Sequence, residues 1–315
     1  MKADSSLYRN FQTFLKLYLP QKVQKISLNA GFTCPNRDGS KGHGGCTYCN
    51  NQTFNPSYCD SDQSITEQLN KGIRFFAGKY PDMDYLAYFQ AYTNTYAELD
   101  RLKKLYEEAL SVDRVVGLVI GTRPDCMPEE LLDYLETLSK RVFVLVEYGI
   151  ESTDDQSLKR INRGHDFACA QEAVRRTAAR NIPVGAHMIL GLPLEDNDQI
   201  IRHAKRLSQL PLSTIKLHQL QIIRGTRLAR DIQQHPDWYQ AITPEEYVEK
   251  VVLFLEHLNP EIAVERFVSQ SPPELLIAPD WGLKNYQFTH LIEKSLRERG
   301  SRQGCKFISH EPGVL

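Results

Sequence analysis

Apolar residues along this chain fall into short continuous runs separated by longer stretches in which apolar and polar positions alternate at helical spacing. Runs such as VVGLVI (115–120) and VFVLV (142–146) are apolar throughout, as strands covered on both faces are. Six strands are predicted, at 23–28, 85–90, 115–120, 142–148, 184–190 and 214–223. Between them, apolar positions three and four residues apart predict helices at 65–79, 96–110, 128–140, 166–181 and 196–210. Strand and helix alternate through short connections, which is the pattern of a parallel sheet wrapped by helices. Six such units predict an α/β protein built on a partial (β/α)6, TIM-like barrel.

The two ends read differently. Residues 1–21 place Leu7, Phe11, Phe14, Leu15 and Tyr18 at helical spacing, so an N-terminal helix is expected rather than a cleaved leader, and with it a cytoplasmic protein. Residues 22–243 form the expected barrel core. From 244 to 315 the texture changes to an amphipathic helix (244–258), an alternating strand IAVERFV (262–268), a Pro-rich turn and a last helix (286–299). This extension is expected to pack on the barrel and close or lid it.

Composition narrows the class without adding a function. The chain has 315 residues, 41% hydrophobic and 24% charged, with a mean hydropathy of −0.42, as an ordinary globular protein has. No apolar run approaches the roughly 20 residues that span a bilayer, so no membrane partner is expected. A net charge of −1 removes any global attraction to nucleic acid, and only a local basic surface could serve. Candidates are Lys159, Arg160, Arg163, Arg224 and Arg227, whereas Arg175 and Arg176 read as a solvated helix face.

The cysteines change the picture. Three of the seven lie in CPNRDGSKGHGGCTYC, residues 34–49, directly after the first predicted strand. Clustered thiols in a reducing compartment point to metal or redox chemistry rather than disulfides. Cys34, Cys46 and Cys49 could complete a Cys3His zinc site with His43, in a non-enzymatic RNA-binding protein, or a three-cysteine iron–sulfur site. The second arrangement leaves one iron without a protein ligand, open to a small molecule. Cys59, Cys126, Cys169 and Cys305 are scattered and read as small buried side chains.

In such barrels the carboxyl ends of the strands carry the chemistry. Here they read QAYTNT, GTRPD, EYGIES, GLPLED and HQLQIIRGT, each combining polar groups with Gly, Asn or Pro. Arg123, just before Pro124, is placed to meet a carboxylate or phosphate. His187 and His218 lie within strands, where a histidine is usually a hydrogen-bonded core residue; position at the mouth favours a functional role for His218. Arg163 and His165 in INRGH either cap a loop or touch substrate, and Arg266 either turns inward or is solvated.

A three-cysteine loop after the first strand of such a barrel resembles the radical S-adenosylmethionine (SAM) superfamily. The spacing here, eleven residues and then two, is longer than the usual CxxxCxxC and is similar to the radical domain of the Elongator catalytic subunit. That likeness continues in TRPD, EYGIES, INRGH and IRGT. Across the whole chain, GFTCPNRDG, GGCTYCN, YLAYFQAYTNTYAE, GTRPDCMP, INRGHDFAC, HMILGLP, IKLHQL and LLIAP resemble the YhcC/YtqA-like radical SAM family, which includes MnmL-type tRNA wobble-uridine modification.

The resemblance implies that Cys34, Cys46 and Cys49 hold a 4Fe-4S cluster whose open iron takes the amino and carboxylate groups of S-adenosylmethionine. It places Tyr48, Gln90, Tyr92, Thr93, Glu147, Met188 and Gly191 around that cofactor, although QAYTNT departs from the GGE-like turn common in the superfamily. It implies tRNA as substrate, a flavodoxin- or ferredoxin-type electron donor, and conversion of a 5-carboxymethylaminomethyl-uridine to its 5-aminomethyl form. Arg123, His218 and Arg266 are the candidate catalytic residues, with Arg123 or Arg266 fixing the substrate carboxylate. A chain ending at residue 315 is not expected to carry an acetyltransferase domain.

Overall fold

The computed structural model describes residues 6–54, 56–78, 82–239 and 241–309. Its strands are β1 (Val23–Leu28), β2 (Asp84–Phe89), β3 (Val115–Thr122), β4 (Phe143–Glu151), β5 (Val184–Leu190), β6 (Thr214–Gln219), β7 (Ile222–Ile223), β8 (Ala263–Arg266) and β9 (Leu276–Ala278). The helices are α1 (Phe11–Leu15), α2 (Ile65–Ala77), α3 (Leu99–Leu110), α4 (Glu129–Ser139), α5 (Asp155–Arg160), α6 (Phe167–Ala178), α7 (Asn197–Ser208), α8 (Arg227–Gln234), α9 (Pro244–His257) and α10 (Asn285–Glu298). Seven strands form one sheet in the order β1-β2-β3-β4-β5-β6-β8, and every neighbouring pair is parallel. Chain order and sheet order coincide because each strand returns through at least one helix. β1 and β8 remain the two edges of this curled half-barrel.

Local sequence sets the helix starts. Ser64 and Glu67 form a capping box at α2, and Thr243 and Glu246 form another at α9. Asp154, Asp166, Asp196 and Thr226 cap α5, α6, α7 and α8 by accepting a backbone N–H three residues on. The six residues of α5 are too few for a periodic signal, which is why it was absent from the predicted elements.

Three expectations change. The N-terminal helix is confined to Phe11–Leu15, capped by Asn10, while residues 1–5 lie outside the described residues, as does Lys79 at the expected end of the next helix. The sixth predicted strand stops at Gln219, and Ile222–Ile223 pairs instead with β9 in a separate antiparallel ribbon. The alternating strand of the extension contributes β8, which joins the main sheet beside β6.

Apolar surface divides into two bodies. The larger lies between the sheet and its helices. The smaller lies inside the barrel, where Phe11, Phe14 and Leu15 of α1 pack against Val23, Leu86, Tyr88, Val119, Phe143, Leu145 and Ala263. The N-terminal segment therefore plugs the barrel floor, and the opposite, carboxyl end of the strands is left open. That polarity places the site.

Candidate active site

A layer of charge lies on the apolar floor. Lys25 on β1 donates to Glu147 Oε1 and Glu265 Oε2, both at 2.6 Å. Lys216 on β6 lies 2.8 Å from Glu147 Oε2 and 3.0 Å from Glu265 Oε1, and it donates to the Tyr88 hydroxyl at 3.0 Å. Two lysines and two glutamates thus alternate in a closed ring, all four side chains at least 86% buried. His187 Nε2 meets the same Glu147 Oε2 at 2.8 Å. Burial pushes the Glu147 carboxyl up, but Lys216, Lys25 and His187 outweigh it and hold it well below the carboxylate range. The ring links β1 to β8 across the edge that no strand pairing closes.

Above the ring, one pocket gathers most of the residues that the sequence singled out. Cys34, Cys46 and Cys49 line it with Tyr48, Gln90, Tyr92, Thr93, Arg123, Glu147, His218 and Arg266. Met188 and Gly191 are not among its lining residues. β5 turns His187 into the pocket and Met188 to the helix side, where it is fully buried in the outer core. Gly191 follows the strand with φ +87°.

The long cysteine loop is built, not slack. Asn36 Nδ2 donates to the Asn162 carbonyl at 2.6 Å, and Asn162 Nδ2 returns a bond to the Gly45 carbonyl at 2.8 Å. Thr47 N–H donates to the Ile161 carbonyl at 2.9 Å, and Arg37 Nη2 donates to the Cys49 carbonyl at 2.8 Å. Lys41 reaches Asp125 at 2.8 Å, which ties the loop tip to the end of β3. Gly45 has φ +79°, and a Cβ there would lie 2.9 Å from Arg37 Nε, so the loop needs glycine at that point. The eleven residues between Cys34 and Cys46 therefore have a structural use, as a strap between β3 and the segment after α5.

The thiols line a cavity instead of converging on a point. Among the described residues, no three His, Cys, Asp or Glu side chains are gathered closely enough to hold one metal ion. His43 packs its ring toward Gly39 and does not line the pocket. A 4Fe-4S cluster takes each thiolate on a different iron and suits thiols set apart. Burial and Cys46 push the Cys49 thiol up to about 11, a bias that metal coordination reverses.

Several lining side chains hold buried polar atoms with no protein partner: Thr93 Oγ1, Arg123 Nη1, Glu151 Oε2, Arg163 Nε and Arg266 Nε. Buried groups of this kind are costly unless something bonds to them, so the donor and acceptor set fits a charged, polar ligand. Tyr92 and Glu151 also carry φ of +64° and +71°, left-handed values that non-glycine residues adopt at a cost of about 1–3 kcal/mol. Both lie in the pocket lining.

The pocket's cations differ in how far they are already engaged. Arg123 gives Nε and Nη2 to Asp125, each at 2.9 Å. Arg163 lies 3.5 Å from Cys46 Sγ, bonds the Gly149 carbonyl and stands 3.9 Å from Glu151. A Cβ at Gly149 would lie 2.7 Å from Arg163 Nη2, so only glycine admits this approach. Glu147, expected at the cofactor, has both oxygens taken by the ring. His218 stands 3.7 Å from Glu151 Oε2; burial, then Arg266 and His187, lower it to about 3, so the imidazole is neutral.

Sequence reasoning missed Glu151, Arg37, Asn51 and the lysines of the ring. Glu151 had a usable signal, since it lies four residues from Glu147 on the same strand face. Lys25 and Lys216 had another, as lysines inside short strands with apolar residues before and after them.

Comparison with known proteins agrees with this geometry. The profile of the radical SAM superfamily matches residues 34–207, and that of the radical SAM C-terminal domain matches residues 212–298. The uncharacterized protein YtqA of Bacillus subtilis is 36% identical over 300 residues, 95% of this chain and 92% of that one. A tRNA uridine(34) acetyltransferase of Methanocaldococcus infernus is 24% identical over 215 residues, 65% of this chain but 39% of that protein. The solved structure of Methanocaldococcus infernus Elp3 lacking its N-terminus has the same fold, with a TM-score of 0.68 at 16% identity over 90% of this chain and 64% of that one. With the thiol-lined pocket at the open end of a parallel half-barrel and a family match over more than half its length, the chain belongs to the radical SAM superfamily, among YtqA-like proteins.

Proposed function

We propose that this protein modifies the carbon-5 side chain of the tRNA wobble uridine, converting 5-carboxymethylaminomethyl to 5-aminomethyl. Cys34, Cys46 and Cys49 would hold the family's 4Fe-4S cluster, with S-adenosylmethionine beside Tyr48, Tyr92 and Thr93. When bound there, these two groups supply a 5′-deoxyadenosyl radical able to abstract a hydrogen atom from substrate, with the electron coming from a flavodoxin- or ferredoxin-type donor.

The observation that carries the reading is the set of unpaired buried polar atoms around three thiols. It supports a pocket made for two charged ligands, one at the thiols and one further along the wall. Arg163, beside Cys46, is the cation placed for the cofactor's carboxylate. Thr93 Oγ1 and Glu151 Oε2 offer further polar contacts. Neutral His218 can accept or donate a hydrogen bond without adding charge.

The wobble-uridine assignment is supported by the relative named as a tRNA uridine(34) acetyltransferase. The methylene between nitrogen and carboxylate in the proposed substrate carries a weak C–H bond, which suits radical abstraction. The carbon radical left there would give up one further electron to the cluster, and water would add to the resulting iminium and break the C–N bond. That releases glyoxylate and the 5-aminomethyl amine, with SAM as the net two-electron oxidant. Exposed Lys159, Arg160, Arg224 and Arg227 provide a local basic rim, because α5 and α8 flank the cysteine loop through backbone bonds to Thr47. The test is anaerobic incubation of reconstituted enzyme with SAM, reductant and tRNA carrying 5-carboxymethylaminomethyl-uridine. Formation of the 5-aminomethyl nucleoside is the expected product, and 5′-deoxyadenosine without any change in the tRNA would refute the assignment.

A further inference from the structure

Arg266 occupies its position through a break in the sheet. Along β8, Ala263 pairs with Thr214 and Val264 with Ile215, but Lys216 pairs with Arg266, so Glu265 is an extra residue. Ala263 packs inside the barrel and Val264 in the outer core, so regular alternation would turn Glu265 in and Arg266 out. The bulge turns both inward: Glu265 closes the ion ring, and Arg266 lines the pocket.

Of the cations lining the pocket, Arg37 is engaged by the Cys49 carbonyl, and Arg266 is the one left without a bond to any described residue. Lys25 and Lys216 are neutralised by Glu147 and Glu265. Arg123 is held by Asp125, and Arg163 by Gly149 and the neighbourhood of Cys46. Arg266 makes no hydrogen bond or ion pair with any described residue, and its Nε is buried without a partner. Arg266 is partly buried, its Nε is left without a partner, and a planar carboxylate bonded through two parallel N–H groups would satisfy it. A cofactor held at the thiols would present its carboxylate to Arg163, which stands beside Cys46, and so would leave Arg266 free for the substrate.

We propose that Arg266, delivered by the Glu265 bulge, is the specificity residue that receives a carboxylate on the reacting side chain of the substrate. This deepens the wobble-uridine reading and rests on it for the identity of the RNA, though not for the class of group bound. Arg123, the alternative on sequence grounds, keeps a structural duty at Asp125 and the loop strap.

The test uses SAM-loaded, cluster-reconstituted protein and two anticodon stem-loops, one with 5-carboxymethylaminomethyl-uridine and one with 5-aminomethyl-uridine. Wild type should bind the first more tightly, and Arg266→Gln should lose about 10- to 100-fold of that preference, the range of a charge-assisted contact. Arg266→Lys should recover part of it. Both variants should melt as wild type does, since Arg266 makes no hydrogen bond or ion pair with any described residue. Retained preference in Arg266→Gln, or an equal loss of affinity for both stem-loops, overturns the proposal. If wild type does not discriminate between the stem-loops, sarcosine, which carries the same methylamine-acetate group, is titrated against SAM-loaded protein. Binding lost in Arg266→Gln then upholds the carboxylate site while removing the RNA assignment. Sarcosine binding that is absent or independent of Arg266 overturns both.

Discussion

Replacing Lys216 by methionine tests whether the ion ring is a single unit. The side chain is 5% exposed, and its Nζ lies 2.8 Å from Glu147, 3.0 Å from Glu265 and 3.0 Å from the Tyr88 hydroxyl. Methionine keeps the length and packing of the stem, so the change is mainly electrostatic. It leaves two buried carboxylates sharing Lys25, with His187 on Glu147 besides, and breaking a buried pair by removing one partner costs about 3–5 kcal/mol. For a protein of this size that corresponds to a fall in Tm on the order of 5–8 °C. Urea or thermal denaturation reads it. Adding Glu265→Gln removes one surplus carboxylate, so the double variant should regain at least about 1 kcal/mol relative to the sum of the single losses. A loss below about 1 kcal/mol for Lys216→Met, or strict additivity in the double variant, would refute the ring as a coupled element.

Three further outcomes follow from the same geometry. Cys34→Ala, Cys46→Ala and Cys49→Ala should each abolish reductive SAM cleavage and lower bound iron, whereas Cys59→Ala should not, because Cys59 donates to the Ser27 carbonyl and is absent from the pocket lining; iron analysis with a 5′-deoxyadenosine assay decides. Glu147 has its folded pKa depressed, so its stabilisation is complete above the unfolded value of about 4.3 and is lost as pH falls through the folded one. Unfolding free energy should therefore fall less steeply below about pH 5 in Glu147→Gln than in wild type, and equal slopes would contradict the depressed value. Arg224→Ala with Arg227→Ala should reduce the slope of log affinity for tRNA against log salt by about two, read in binding titrations between low and moderate ionic strength.

The central strands were legible because they are buried on both faces and read as largely apolar runs; β4 is buried at all nine positions. The thiols were legible because cysteine clusters are rare and their spacing carries chemistry. Short elements were not: α5 has six residues and β7 two, and neither length supports a period. The Glu265 bulge was hidden for a different reason. Alternation in IAVERFV specifies which residues face inward only if the register is regular, and one extra residue reverses the facing of Arg266. Glu147 carries a further feature the sequence does not show: it lines the pocket as its strand-end position suggested, while partners on β1, β5 and β6, far apart in sequence, engage both its oxygens.

Nucleoside mass spectrometry of tRNA from cells with and without this protein tests the functional account most directly. The account predicts that loss of the protein makes the 5-carboxymethylaminomethyl form of the wobble uridine accumulate at the expense of the 5-aminomethyl form and its derivatives, and that wild type, but not Cys46→Ala, reverses the change. An unchanged wobble-uridine profile would contradict it.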